Sequence, residues 1–372
     1  MPMTLEEMLK HRTAPAAPEL FEKLSDGRVR CYACGHRCPI PEGRAGVCRV
    51  RFNVGGELRV PWGYVGALQC DPVEKKPFFH AYPGALAMSF GMLGCDLHCG
   101  YCQNWVTSQA LRDPVSTSMA TPIDITPHQF VQIAKKQQAK IVTSTYNEPL
   151  ITSEWAVEIF KEARANDLVC SFVSNGNATE EALEFIRPYV DLYKVDLKSF
   201  DDKRYRELGG QLKEVLNTIQ LLHKKGFWVE IVTLIVPGFN DGDSELREMA
   251  KFLVDVSPDI PWHITAFHPD YKMRDRDWTQ THRLISATEI GYEAGLHYVY
   301  AGNIPGEVGS YENTFCPKCD FAVIERRGFE VKANHLNDGK CPKCHAGIAG
   351  RWWPKGEDLL IPKDRHVRAI RL

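Results

Sequence analysis

The 372-residue sequence has no apolar run long enough to cross a bilayer, so no membrane span is expected. Neither sign of charge dominates: 45 Lys and Arg stand against 47 Asp and Glu, a formal net charge of −2. That balance supplies no general attraction to nucleic acid or to an anionic membrane. Basic tracts are missing as well. Arg326-Arg327 and the tail 365–371 are too sparse for a nucleic-acid footprint, and the tail reads as a solvated end or an edge strand. The first thirty residues, from Met1-Pro2-Met3-Thr4-Leu5-Glu6-Glu7, hold no apolar core and no small-residue cleavage site. A secretory signal is therefore not expected. These absences together predict a cytoplasmic protein with neither membrane nor nucleic acid as a partner.

Cysteine, by contrast, is plentiful. Of thirteen, eleven fall into three clusters, and only Cys70 and Cys170 lie outside them. In a reducing compartment such clusters read as metal sites rather than disulfides. Cys170, inside Leu168-Val169-Cys170-Ser171-Phe172, reads as a buried small hydrophobe.

The middle cluster is the most informative. Cys95, Cys99 and Cys102 form a C-x3-C-x2-C triplet within Gly94-Cys95-Asp96-Leu97-His98-Cys99-Gly100-Tyr101-Cys102-Gln103-Asn104. A closed zinc site or an electron-carrying cluster takes four protein ligands. Three thiolates on one loop can hold three irons of a [4Fe–4S] cube and leave the fourth iron open to a small molecule. His98 reads as a solvated or hydrogen-bonding neighbour, not a ligand.

Around the triplet runs a βα rhythm. Segments 85–90, 141–145, 168–174, 192–197, 229–236 and 263–267 are short, apolar and rich in β-branched or aromatic residues, as strands are, and 298–301 adds a late one. Helical patterns lie between them. Thr152 is placed to cap a helix with Ala156, Ile159, Phe160 and Ala163 on its apolar face. Leu212, Val215, Leu216, Ile219 and Leu222 make a second stripe that stops at Gly226. Alternating strands and helices predict a parallel sheet. Before the rhythm, 1–30 reads as a short amphipathic helix and linker, and 49–84 as irregular. The expected division is an N-terminal extension with a cysteine knot (1–83), an α/β core (84–305) and a C-terminal segment (306–372).

Conspicuous polar groups fall at the carboxyl ends of six strands. They are the triplet, Tyr146-Asn147-Glu148-Pro149, Ser174-Asn175-Gly176-Asn177, Asp196 with Lys198, Pro237-Gly238-Phe239-Asn240-Asp241, and His268-Pro269-Asp270. In a β/α barrel those ends converge on the face that carries active sites.

The triplet, with Tyr101 just before its last cysteine, resembles the signature of radical S-adenosylmethionine (radical SAM) enzymes. Gln103-Asn104 is similar to the His-Asn of the pyruvate formate-lyase activating enzyme branch. Val73-Glu74-Lys75-Lys76-Pro77-Phe78-Phe79-His80, the 237–241 turn and region 313–344 resemble the AmmeMemoRadiSam-system radical SAM proteins, which occur beside Memo-like proteins. The resemblance covers essentially 30–350.

It implies a partial (β/α)6 TIM-like barrel with a [4Fe–4S] cluster on Cys95, Cys99 and Cys102 and S-adenosylmethionine (SAM) as cofactor. Reductive cleavage would give methionine and a 5′-deoxyadenosyl radical that takes hydrogen from a substrate, a protein in activating enzymes. The implied cofactor-binding residues are Tyr101, Asn104, Glu148, Ser174, Asn175, Asp196, Lys198 and His268. Glu148 stands where the family's Gly-Gly-Glu-type motif receives the methionine ammonium, although the glycines are absent here. Ser174 and Asn175 are placed for the methionine carboxylate or ribose, and Asp196 and Lys198 match an Asp-x-Lys. The implied partners are an electron donor such as flavodoxin or ferredoxin, and a protein substrate or Memo-like protein. The competing reading is a zinc-ribbon binding or scaffold protein with a non-catalytic barrel.

Two four-cysteine groups flank the core. Cys316, Cys319, Cys341 and Cys344 are two C-P-K-C knuckles suited to tetrahedral zinc, with Gly328 and Asn337-Asp338-Gly339 supplying hairpin turns. Cys31, Cys34, Cys38 and Cys48 suit zinc or an auxiliary Fe–S cluster, since both accept four thiolates.

Overall fold

A computed structural model describes residues 3–354 and 368–369. Seven parallel strands lie side by side in chain order: β1 (Leu86–Gly91), β2 (Ile141–Ser144), β3 (Val169–Ser174), β4 (Leu192–Asp196), β5 (Trp228–Ile235), β6 (Trp262–Ala266) and β7 (Val299–Gly302). Each expected strand is present within a residue or two of its expected bounds. Ala67–Pro72 extends the sheet antiparallel to β1, and Arg368–Ala369 pairs antiparallel with it in turn. The rest of the 365–371 tail lies outside the described residues.

Helices return the chain between strands. Pro127–Lys136 starts at a Thr126/Gln129 capping box with Pro127 in its first turn, and carries Lys135 and Lys136 in its last turn. Each device satisfies or complements a helix end, a cap being worth about 1 kcal/mol. Ser153–Arg164 buries the predicted Ala156, Ile159, Phe160 and Ala163. Thr152 stands at its N-cap as expected, but its hydroxyl donates to Pro149 O (3.3 Å), within the 3-10 turn Pro149–Thr152, and makes no cap bond. Leu212–Lys224 ends where Gly226 takes a left-handed φ of +77° and Phe227 N reaches back to Leu222 O.

Side chains alternate across each strand. Met88, Phe90, Val142, Cys170, Phe172, Tyr193, Val195, Ile231, Trp262, Ile264 and Val299 join the core shared with the helices. Cys170 is thus the buried hydrophobe expected. The opposite face has two layers. Near the amino ends, Ala87, Ile141, Val169, Leu192 and Trp228 pack on Val73, Phe78, Ala81 and Ala85, so the segment before β1 plugs that end. Further along, the same face turns polar: Thr143 and Ser171 hydroxyls meet at 2.7 Å, followed by Lys194, Glu230 and His263, all buried.

The stretch 49–84 is not irregular, contrary to expectation. Phe52–Val54 and Glu57–Pro61 form a hairpin whose two-residue turn is Gly55-Gly56, both at positive φ as such a turn requires. The 1–30 segment likewise has strands Thr13–Pro15 and Phe21–Lys23 after its helix Leu5–Lys10. Two buried carboxylates bind the appendages to the core. Arg51, beside the cysteine knot, makes a bidentate pair with Glu154 at 2.7 Å through both nitrogens. Glu230 accepts from Phe79 N and His80 N (2.9 Å each) and from His263 Nε2 (2.7 Å). Arg326 of the C-terminal hairpin donates to Phe79 O (2.7 Å), which fastens the ribbon beneath the sheet.

Candidate active site

The triplet loop leaves the carboxyl end of β1. Gly91 closes that strand because nothing larger fits: a Cβ there would lie 2.3 Å from Thr145 O and 2.8 Å from Tyr146 Cβ. This close approach brings the loops after β1 and β2 together, and Asn147 Oδ1 accepts from Met92 N (3.0 Å) to hold them. Cys99 is buried, and Cys95 and Cys102 are half-buried. Burial raises all three thiols, Cys99 to about 12, so a metal must displace their protons on binding. His98 is exposed and turns outward over Gly209.

A cleft of about 500 Å³ opens on the three cysteines. Its wall takes Asn104 and Ser108 from the triplet side, Thr145 to Glu148 from β2, Val173 to Asn175 from β3, and Asp196 with Lys198 from β4. The strand-end groups of β1 to β4 therefore converge as expected. Two expected cofactor residues do not reach this wall. Tyr101 turns away into an apolar cluster against Phe239 (ring centroids 5.7 Å), and His268 packs beside Trp278 (5.5 Å).

Glu148 is the most informative side chain in the cleft. Only 2% of it is exposed, and its carboxylate accepts from Ser174 Oγ (2.7 Å), Asn175 N (2.7 Å) and Leu150 N (3.1 Å). No cation is ion-paired with it among the described residues. Burial, and then the nearby Asp96 charge, raise its pKa well above the usual carboxylate range against the pull of those donors. Such a group favours a bound cation. Ser174 and Asn175 line the cleft, but their polar atoms are engaged within the protein. Ser174 serves Glu148, and Asn175 Nδ2 donates to Asp96 Oδ1 at 2.7 Å. Both therefore orient carboxylates of the site.

On β4 the expected Asp196–Lys198 pair is a trio. Lys194 Nζ donates to Asp196 Oδ1, and Lys198 Nζ lies 3.2 Å from Oδ2. Burial alone would raise Asp196, but the two lysines overcome it and hold the group down at about 2. Lys194 was legible from alternation, since 194, 196 and 198 share one strand face. Two other groups lie inside the motifs, but no role could be assigned to them from sequence. Asp96 is buried between the ligands and accepts from Asn177 Nδ2 (2.8 Å) as well as Asn175. Lys76 is buried and donates to Asp71 (2.8 Å) and to Tyr146 OH (2.8 Å), steadying a tyrosine held at φ +67°. Such backbone outliers cluster at functional sites.

The donor set fits an iron–sulfur cube with one open iron. Among the described residues, the four C-terminal cysteines are the one group of three or more metal-ligating side chains that converges within 4.8 Å. The triplet sulfurs do not converge in that way, and a cube held between them would require such a wider spread.

Comparison with known proteins agrees. The Radical SAM superfamily profile matches residues 91–253, from the end of β1 to the helix after β5. The chain is 37% identical over 319 residues to the uncharacterized protein MJ0808 of Methanocaldococcus jannaschii, covering 85% of this chain and 93% of that one. It is 27% identical over 192 residues to the pyruvate formate-lyase-activating enzyme of Staphylococcus aureus, covering 47% and 74%. Among solved structures, Streptococcus suis SuiB bound to precursor peptide SuiA aligns over 62% of this chain and 51% of its own, with 15% identity and a TM-score of 0.45. The chain belongs to the radical SAM superfamily and is an enzyme related to the activating enzymes.

Proposed function

We propose that Cys95, Cys99 and Cys102 hold the [4Fe–4S] cluster, and that the cleft beside them binds SAM for hydrogen abstraction from a protein substrate. When bound, the reduced cluster supplies the electron that cleaves SAM to methionine and a 5′-deoxyadenosyl radical. The chain's own residues do the rest by position. Glu148 receives the methionine ammonium, its carboxylate already oriented by three donors. Lys198 meets the methionine carboxylate, while Asp196 takes a ribose hydroxyl. Asp96, through Asn175 and Asn177, fixes the loop between the ligands. The buried carboxylate, ion-paired with no cation among the described residues and sharing a cleft with three thiols, is the observation that carries this reading.

The protein-substrate class rests on the similarity to the activating enzyme of S. aureus. A cytoplasmic flavodoxin- or ferredoxin-type donor would supply the electron, and a Memo-like protein is the first substrate to try. The test is incubation of reduced enzyme and SAM with a deuterated Memo-like protein or a deuterated proteome. Deuterium in 5′-deoxyadenosine from a protein fraction supports the reading; label arising only from small metabolites refutes the substrate class.

We further assign Cys316, Cys319, Cys341 and Cys344 to structural zinc. Cys316–Cys344 and Cys319–Cys341 sulfurs lie 3.5 and 3.7 Å apart. Tetrahedral zinc with bonds of about 2.3 Å needs edges of about 3.8 Å.

A further inference from the structure

We propose that Cys31, Cys34, Cys38 and Cys48 hold a second, fully ligated iron–sulfur cluster against the back of the triplet loop, and not a zinc ion. The chain has two four-thiol groups, and the structure treats them differently. The C-terminal four converge within 4.8 Å, the compact arrangement a single tetrahedral ion demands. The N-terminal four are also largely buried, with Cys31, Cys34 and Cys48 each 6% exposed, yet no three of them converge in that way. They divide between two apolar neighbourhoods. Cys31 and Cys38 pack with Val29, Ala33 and Ile40, whereas Cys34 and Cys48 pack with Val50 and Ile151. All four nonetheless gather around one turn: Arg37 N donates to Cys34 O (3.0 Å), and a Cβ on Gly46, two residues before Cys48, would lie 3.4 Å from Cys38 Sγ. Four thiols gathered around one turn but not converging within 4.8 Å fit an inorganic core between them. The triplet shows the same wide spacing.

The surroundings suit an anionic cluster. Arg51 is 1% exposed and lies three residues beyond Cys48. Glu154 and Ile151 O engage its terminal nitrogens, but its Nε is buried without a hydrogen-bond partner. A thiolate or sulfide would give that donor an acceptor, and hydrogen bonds to sulfur are one way proteins tune such clusters. The backbone is shaped around the same space. Arg37 and Arg49 adopt left-handed φ values of 45° and 65°, each one residue from a cysteine, and Cys31 N donates to Cys38 O (3.0 Å).

The site adjoins the catalytic loop. A Cβ on Gly94 would lie 3.1 Å from Cys48 O. Arg112 donates to Cys95 O (2.7 Å), Leu97 O (3.0 Å) and Val47 O, joining the two loops. His36 Nε2, 4.0 Å from Asp96 Oδ2, lies between them.

The test is metal content of the full chain isolated without oxygen and reconstituted with iron and sulfide. The expected result is about eight irons and one zinc per chain, two cubes and a ribbon. About four irons and two zincs would overturn the proposal. The triple variant Cys95→Ala, Cys99→Ala, Cys102→Ala separates this site from the catalytic one. It should retain about four irons and a reduced-cluster electron resonance signal that SAM does not change. A triple variant that holds zinc but no iron at the knot would equally refute the assignment, and would leave the triplet cluster of the wild type untouched.

Discussion

Glu148→Gln isolates the charge that the cleft presents to its ligand. The side chain keeps its size, so the cleft volume is preserved. The carboxylate now accepts from Leu150 N and Ser174 Oγ at one oxygen and from Asn175 N at the other. An amide can match only one of these positions, so one backbone N–H is left facing an NH2, at about 1–3 kcal/mol of folding stability. The larger effect is on binding. A hydrogen bond to a charged group is worth about 1.5–3 kcal/mol, and each 1.4 kcal/mol is about tenfold in affinity. SAM should therefore bind about 10- to 150-fold more weakly to the variant. Equilibrium dialysis of anaerobically reconstituted protein, normalised to triplet-cluster content, measures this. The same carboxylate predicts a pH dependence. Its pKa is raised in the free protein, so acidification protonates it and removes the cation's partner. Wild-type affinity should fall as pH drops from about 7.5 to 6, where an ordinary carboxylate of pKa about 4.3 would not titrate, and the variant should lack that slope. Affinity within threefold of wild type, with the cluster intact, would refute the assignment of Glu148.

The other predictions concern the supports of the site. Asp196→Asn leaves Lys194 and Lys198 without their shared carboxylate and should cost roughly 2–3 kcal/mol in urea unfolding, less than a fully buried pair because Asp196 is 30% exposed. Since its folded pKa is depressed from 3.8 to about 2, the wild-type contribution is present above pH 4 and lost as pH falls toward 2; the variant should lack that acid limb. Glu154→Gln breaks the buried pair with Arg51 and should cost about 3–5 kcal/mol, whereas the double change Arg51→Met, Glu154→Leu should recover most of it. A double variant as unstable as the single one would show that packing, not charge, sets the cost. Cys341→Ser should open the C-terminal hairpin to protease between 316 and 344 and abolish its zinc, while the strands stay protected.

The strands and the convergence of their ends were legible because each strand is a short apolar run closed by turn residues. Alternation also separated the helix-facing Tyr193 and Val195 from the inward Lys194 and Asp196, although only a known motif drew attention to the latter. What escaped was set by tertiary packing. Ala67–Pro72 has no β-branched residue and exists as a strand because β1 offers it a partner. Tyr101 and His268 sit in the right loops, but the side-chain direction within a loop has no sequence period. Asp96 and Lys76 escaped for a related reason, as their partners are 79 and 70 residues away. Thiol counting found both four-cysteine groups, but only their spacing in three dimensions distinguishes an ion from a cluster.

The central claim is that the Cys95 loop and its cleft cleave SAM. Protein reconstituted anaerobically and reduced with dithionite should release 5′-deoxyadenosine and methionine in equal amounts, and Cys99→Ala should release neither while its zinc content is unchanged. No 5′-deoxyadenosine from wild-type protein with a full and reducible triplet cluster would contradict the account.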